Sequence, residues 1–302
     1  MLAAVLEFNG NTRRHAAFVA FTLASALIFS KTLGSLVVYS LHNDSSSHIT
    51  LTPLIGFFLL YMERKRIFSS TSTSIGPGVG LVLSGVILYW LVNRKLFSLE
   101  GSESLSLETF SIILVWVGGF LLCYGFVALR AGTFPLLFLL LMIPLPEMIL
   151  DRVIHALQVG STEIAYILFQ AVGTPVLRQG FLLTVPGVTI EVAKECSSIR
   201  SSVALFITCL LAAHLYLRTP WKIALFALIA FPLAVLKNGI RIVTLTLLAT
   251  HVDPRFLTGS LHHKGGFVFF LVALLILWPV LLWLEKSDKP RKAADPAACA
   301  GP

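Results

Sequence analysis

The chain has 302 residues, of which 56% are hydrophobic and only 13% charged, with a mean hydropathy of +0.86. Soluble domains carry roughly 25% charged residues, so an ordinary soluble globular protein is excluded. The formal net charge of +8 does not describe a nucleic-acid surface, because Lys and Arg stand singly or in twos and threes at the ends of apolar blocks, where they set membrane topology. The four cysteines are scattered and form no C-x-x-C pair. With no H-E-x-x-H either, neither a disulfide framework nor a metal centre is expected, and no cofactor is implied.

Crossing the hydrocarbon core takes about 20 mostly apolar residues. On that criterion eight crossings are predicted in chain order, at 16–40, 45–62, 76–93, 108–130, 132–149, 198–217, 221–248 and 266–284. Arg13 and Arg14 precede the first block, and no small-residue cleavage site follows it cleanly, so it reads as a retained span rather than a signal peptide. The basic groups Arg13-Arg14, Arg64-Lys65-Arg66, Arg130, Arg218 with Lys222, and Lys286 to Lys292 fall on alternate loops. Those loops, and both termini, are placed in the cytoplasm. The hydroxyl-rich and acidic stretches 42–48 and 100–108 then face outward, with Arg94 and Lys95 as a local exception.

Between the fifth and sixth crossings, Asp151, Arg152, His155, Gln158, Thr162, Glu163 and Gln170 interrupt apolar positions at close to helical spacing. A further crossing here would break the charge rule, so residues 150–172 are predicted to form an amphipathic helix lying at the outer interface or lining a cavity. Residues 173–195 mix β-branched residues with Gly180 and Pro186-Gly187, which predicts a short extracytoplasmic β-hairpin, VLRQGFLL turning into TIEVA. The expected fold is therefore an all-α polytopic membrane bundle of about eight transmembrane helices, with that interfacial helix and that hairpin. Residues 1–285 form one integral-membrane domain, and 286–302 a short disordered cytoplasmic tail.

Three reactive side chains distant in sequence collect on the outer face of this topology. Cys196, in ECSSIR (195–200), stands where the hairpin gives way to an apolar helix; a helix N-terminus favours a thiolate. The plain alternative is a small apolar filler, which is the reading for Cys123 and Cys209 within spans. Arg241 lies inside an apolar block and either snorkels to the interface or needs a partner or a wet cavity, since an ionised group at such depth costs roughly 2.5–3.5 kcal/mol. Lys237, one turn earlier, shares its helical face. His262 and His263 follow an outer loop and precede the last span; an interfacial histidine is either merely solvated or suited to proton transfer near neutral pH. A cysteine, a histidine to move its protons and an arginine to stabilise negative charge are together sufficient for acyl transfer. The aspartates Asp44, Asp151 and Asp253 lie outside the predicted crossings, which disfavours an intramembrane aspartyl protease, and no G-x-S-x context supports a rhomboid-like serine peptidase.

These residues, in this order, resemble the exosortase/archaeosortase family of polytopic membrane cysteine transpeptidases. ECSSIRSS (195–202) is similar to the family's cysteine signature, with Ser198 where glycine is usual. KNGIRI (237–242) matches its arginine motif at Arg241 with Asn238 beside it, and HHKGGFVFF (262–270) fits its histidine spacing when read as His262, Gly266 and Phe270. NDSSSHITLTPLIGFFLLYMERKR (43–66) and FPLLFLLLMIPLP (134–146) also resemble the family, so the likeness runs from about residue 40 to 284. It implies Cys196, Arg241 and His262 as catalytic residues, with Arg200, Asn238 and Gly266 positioning substrate or supporting the motifs. It also implies exported protein substrates carrying a C-terminal sorting signal made of a short motif, a transmembrane helix and a basic cluster. Such an enzyme sits in the bacterial inner membrane with its site facing the periplasm, and serves envelope sorting and exopolysaccharide production. Two other readings stay open: a transporter or exopolysaccharide-assembly subunit binding an anionic substrate at Arg241 and Lys237, and a plain cysteine protease using water as acceptor.

Overall fold

The computed structural model describes residues 2–69, 71–96, 99, 101–193, 199–257 and 266–288, with side chains described from residue 12 onward. It divides into two compact units, Met1–Asp151 and Arg152–Pro302.

In the first unit, α1 (Leu2–Ile28) is followed by α2 (Ser30–His42), α3 (Thr52–Met62), α4 (Arg64–Ile67), α5 (Ile75–Asn93), α6 (Ser102–Ala131) and α7 (Thr133–Phe138). Helix α6 is its centre, burying Phe120 and Tyr124 against Phe18 of α1, with the His15 ring hydrogen-bonded to the Tyr124 hydroxyl at 2.8 Å. Helices α5 and α6 approach through glycine. A Cβ on Gly85 would lie 2.7 Å from the Ser111 carbonyl oxygen, and one on Gly118 would lie 2.8 Å from the Val82 nitrogen. Close approach through small residues is how membrane helices gain van der Waals contact where no hydrophobic force drives them together. Near its end α6 breaks at Gly125, whose φ of 79° and 2.1 Å separation between a would-be Cβ and the Ser72 carbonyl oxygen leave no room for a side chain.

Not all of the eight predicted blocks form a continuous long helix. Among the described residues five helices are long and apolar enough to span a membrane, or up to seven if each of two bent pairs counts as one span. The block at 16–40 is bent by 75° between Ile28 and Ser30, where Thr22 and Ser25 return their hydroxyls to the Phe18 and Thr22 carbonyls, a habit that bends helices. The block at 45–62 yields only the 11-residue α3, about 17 Å long. The block at 132–149 is no continuous helix: after α7 and a single 3-10 turn, Ile143 turns extended ahead of Pro144, because proline bars its predecessor from helical geometry. The chain then re-enters helix at 94° to its former direction.

That next helix, α8 (Glu147–Ala171), matches the predicted amphipathic helix and buries Leu157, Gln158, Ser161, Thr162, Ala165 and Phe169 along one side. Beyond it the expected two-stranded hairpin is a three-stranded antiparallel meander of β1 (Leu177–Gln179), β2 (Leu182–Val185) and β3 (Val188–Glu191). Gly180 and Gly187, at φ of 63° and 87°, form the two turns. Each Gly therefore closes its own hairpin, whereas the predicted single hairpin runs its first strand through Gly180 and turns only at Pro186-Gly187.

The rest of the second unit packs α9 (Ile199–Tyr216), α10 (Pro220–His251) and α11 (Gly266–Lys286) around Leu205, Phe226, Ala230, Ala273 and Leu277. The residues just past α11 are not loose tail. The Asp288 carboxylate accepts the Arg218 and Thr219 N–H groups at 2.6 and 3.3 Å and the Thr219 hydroxyl, and pairs with Lys222 at 3.4 Å. It thus serves as a tertiary cap for the α10 N-terminus, satisfying donors that a helix start leaves open. Residues 289–302 of the predicted tail lie outside the described residues.

The Thr219 hydroxyl first, and then the Arg218 amide, hold the Asp288 carboxyl down at about 2. A carboxyl that titrates lower folded than unfolded contributes fully above its ordinary pKa of about 3.9 and loses that contribution as pH falls toward its folded value. The melting-temperature gap between wild type and Asp288→Asn in detergent should therefore be constant above about pH 5 and close between pH 4 and 2. A gap independent of pH would mean the ionised cap is not what Asp288 supplies.

Candidate active site

Local structure of the second unit holds the chain on both sides of the predicted nucleophile. On the near side, Gln158 of α8, 5% exposed, donates from Nε2 to the Val192 carbonyl at 2.6 Å, and the Val192 N–H donates to Phe181 at 3.0 Å. Val192 also sits in a small core with Ala165, Phe169, Leu183, Val185 and Val243, and a Glu163–Arg178 ion pair ties α8 to β1. The strand that leads toward Cys196 is thereby fixed four residues before it.

On the far side, Ser201 stands in the first turn of α9, and its hydroxyl accepts a hydrogen bond from Lys237 Nζ of α10. Lys237 is only 3% exposed and Asn238 1%. Arg241, half-buried, lies one turn further along α10. The α10 helix is held at this height by α8, because a Cβ on Gly239 would lie 2.4 Å from Ile164, and one on Gly160 would lie 2.9 Å from Val235. Backbone-to-side-chain contact of this closeness fixes the depth at which Lys237 meets the start of α9.

Cys196 and His262 both lie outside the described residues. Arg200 is exposed in the first turn of α9. Gly266 opens α11 with nothing among the described residues near the position of a Cβ, while Phe270, one turn on, packs against the α9–α10–α11 core. The structure thus brings Lys237 of α10 to the α9 start, with Arg241 one turn further along α10. Sequence reasoning missed Ser201 as the partner of Lys237, and Gln158 as the anchor of β3. Gln158 had a legible signal: with Thr162, Ala165 and Phe169 it repeats at helical spacing on the face that proves buried, and a buried amide needs a partner. Nothing in the sequence marks Ser201.

Among the described residues no three His, Cys, Asp or Glu side chains converge to hold a metal ion. Lys237 and Arg241 stand one turn apart on α10, a helix long and apolar enough to cross a membrane.

No curated protein and no solved structure matches the chain. Residues 40–279, a stretch that begins near the end of α2, closes within α11 and includes every site residue named above, match the model of the transmembrane exosortase family, Exosortase_EpsH, and to that family the chain belongs.

Proposed function

We propose that this protein is a membrane cysteine transpeptidase acting on the C-terminal sorting signals of exported proteins. The observation that carries the reading is the Lys237–Ser201 hydrogen bond, since it ties the turn before Arg241 to the first turn of the helix that follows Cys196. In this reading the Cys196 thiolate attacks the scissile carbonyl and forms a thioester as the C–N bond breaks. His262 gives a proton to the departing amine, then takes one from the acceptor nucleophile as that nucleophile displaces the thiolate. Arg241 faces the developing negative charge, where a fixed donor in a water-poor site is worth most. The acceptor's chemical identity decides between transfer and hydrolysis, and the acyl-enzyme half is common to both.

The alternation of basic loops supports a bacterial inner-membrane location with cytoplasmic termini and a periplasmic site. The partners are exported substrates bearing a motif, a transmembrane helix and a basic cluster, together with membrane lipids. One membrane domain, 1–285, carries the activity, and Arg200, Asn238 and Gly266 support substrate positioning.

The test is the pH dependence of alkylation, read as intact mass after exposure of the detergent-purified protein to a small thiol reagent. An activated Cys196 labels well below its ordinary pKa of about 8.5, loses the label in Cys196→Ala, and moves to higher pH in Arg241→Ala. A profile centred near 8.5 and indifferent to Arg241 would make Cys196 an ordinary thiol. That outcome would favour a transporter or exopolysaccharide-assembly subunit that uses Arg241 and Lys237 to bind an anion.

A further inference from the structure

The first unit holds a cavity of about 730 Å³ that the chemistry above does not use, a volume in the range of small-molecule sites. It runs along α2 to the end of α5 and the first turns of α6, with Glu147 of α8 beside it. The stretches 42–48 and 100–108, both predicted to face outward, contribute to it. Half of its lining residues carry a hydroxyl or an amide.

Three helices fix one carboxylate in this cavity. Glu108 of α6, half-buried, accepts from the Thr32 hydroxyl of α2 at 2.8 Å and from the Ser104 hydroxyl at 3.3 Å. With its proton committed to Glu108, Thr32 accepts in turn from the Tyr89 hydroxyl of α5 at 3.0 Å. Thr32 is 3% exposed, so the carboxylate is oriented before any ligand arrives. A carboxylate has about four acceptor sites, and these hydroxyls fill two. Among the described residues Glu108 forms no ion pair. Lys31 also lines the cavity but does not neutralise it, because neighbours in a helix do not share a face, and Lys31 itself pairs with none of the described residues.

The remaining lining is rich in acceptors. Asn43 and Asn93 each donate from Nδ2 to a helix carbonyl, of Tyr39 and Tyr89, at 2.9 and 3.1 Å, which leaves their amide oxygens to the cavity. Glu147 adds a second carboxylate without an ion pair among the described residues. Two carboxylates against one ammonium repel an anion, and an apolar guest would desolvate Glu108 with no hydrogen bond in return. The lining therefore selects a cation dense in donors. Lys31 adds a further condition, since its ammonium needs an acceptor from the ligand; hydroxyl groups supply one and a simple polyamine does not.

We propose that this cavity binds an amino sugar with a free ammonium group. Glu108 takes the ammonium, the oxygens of Asn43 and Asn93 take ring hydroxyls, and Tyr39, with its apolar body and polar tip, meets the C–H face of the ring. This site stands apart from the cysteine chemistry, and neither depends on the other.

The test is calorimetric titration of the full chain in detergent, at a slightly acidic pH where glucosamine is protonated. Glucosamine should bind, and N-acetylglucosamine, the same ring without the charge, should bind at least about tenfold more weakly. Glu108→Gln, which keeps an acceptor for Thr32, should erase that preference. Equal affinity for the two sugars, binding of neither, or equal binding of putrescine overturns the proposal. A chitosan tetramer that binds more tightly than glucosamine identifies the source as a glycan chain, and one that binds no more tightly identifies it as the free sugar. Should Glu108→Gln fail to fold, carbodiimide coupling in wild type decides. The glucosamine amine displaces the activated carboxyl oxygen, which leaves in the urea, and peptide mapping should find the resulting amide at Glu108 in preference to the exposed Glu285. Labelling of Glu285 equal to or above that of Glu108 overturns the proposal.

Discussion

Cys196→Ala should reduce release of the sorting signal from an exported reporter by about 10⁴-fold or more, to the background of a strain lacking other members of the family. Removing the nucleophile from an acyl-transfer site removes the covalent path entirely, and what binding and oxyanion stabilisation retain is a small remainder. The loss should fall on the rate of cleavage and not on membrane insertion, because a buried or interfacial Cys→Ala change deletes a single sulfur atom. Pulse-chase of the reporter, with immunoblotting of the unprocessed form, reads the rate directly. The mass of the product formed by wild type adds a second result: a free carboxyl indicates water as acceptor, and an added mass indicates transfer. Processing that survives Cys196→Ala would refute the cysteine mechanism and leave the transporter or assembly-subunit reading in its place.

Lys237→Met should separate activity from stability. Lys237 is almost fully buried among apolar spans, and replacing a buried polar pair by well-packed apolar residues is often neutral or stabilising. The melting temperature of Lys237→Met/Ser201→Ala in detergent should therefore equal or exceed that of wild type. Ser201→Ala alone should be the less stable protein, since it leaves the buried ammonium without that acceptor. Activity should move the other way. A hydrogen bond to a charged group is worth about 1.5–3 kcal/mol, and if that energy fixes the start of α9 against α10, its loss should lower processing by roughly 10- to 100-fold. A residue that served stability alone would lose both properties together. The reading fails if the double variant processes the reporter at the wild-type rate.

The sequence carried the membrane character, the long apolar helices at 75–93, 102–131, 199–216, 220–251 and 266–286, and the amphipathic helix at 147–171, because apolar length and 3.6-residue periodicity are properties of single segments. It did not carry continuity. Hydropathy counts Ile143 and Pro144 as apolar without regard to the helix that they end, and it cannot register the bend at Phe29, where both flanks stay helical. Residue type also pointed to Lys237 and Arg241 as unusual, since a cation in an apolar block must be accounted for. What accounts for Lys237 is a serine on another helix, and pairings between helices depend on packing that one chain segment does not encode. The same is true of Asp288, which reads as the start of a charged tail and acts as a cap for α10.

The break at Gly125 also sets how α6 fits its surroundings. The regular part, Ser102 to Tyr124, is about 34 Å long at 1.5 Å per residue, already enough for a hydrocarbon layer of roughly 30 Å. An unbroken helix through Ala131 would be longer by about two turns and would have to tilt, or thicken the bilayer around it, to hide the excess. By ending the straight segment at Gly125 the chain relieves that mismatch at one residue. The last turns, with Arg130 among them and the Ala131 carbonyl accepting from Arg66, are then free to take the direction that the headgroup layer asks of them. The thickness of membrane this protein tolerates is, on this account, written into a single position that only glycine can fill.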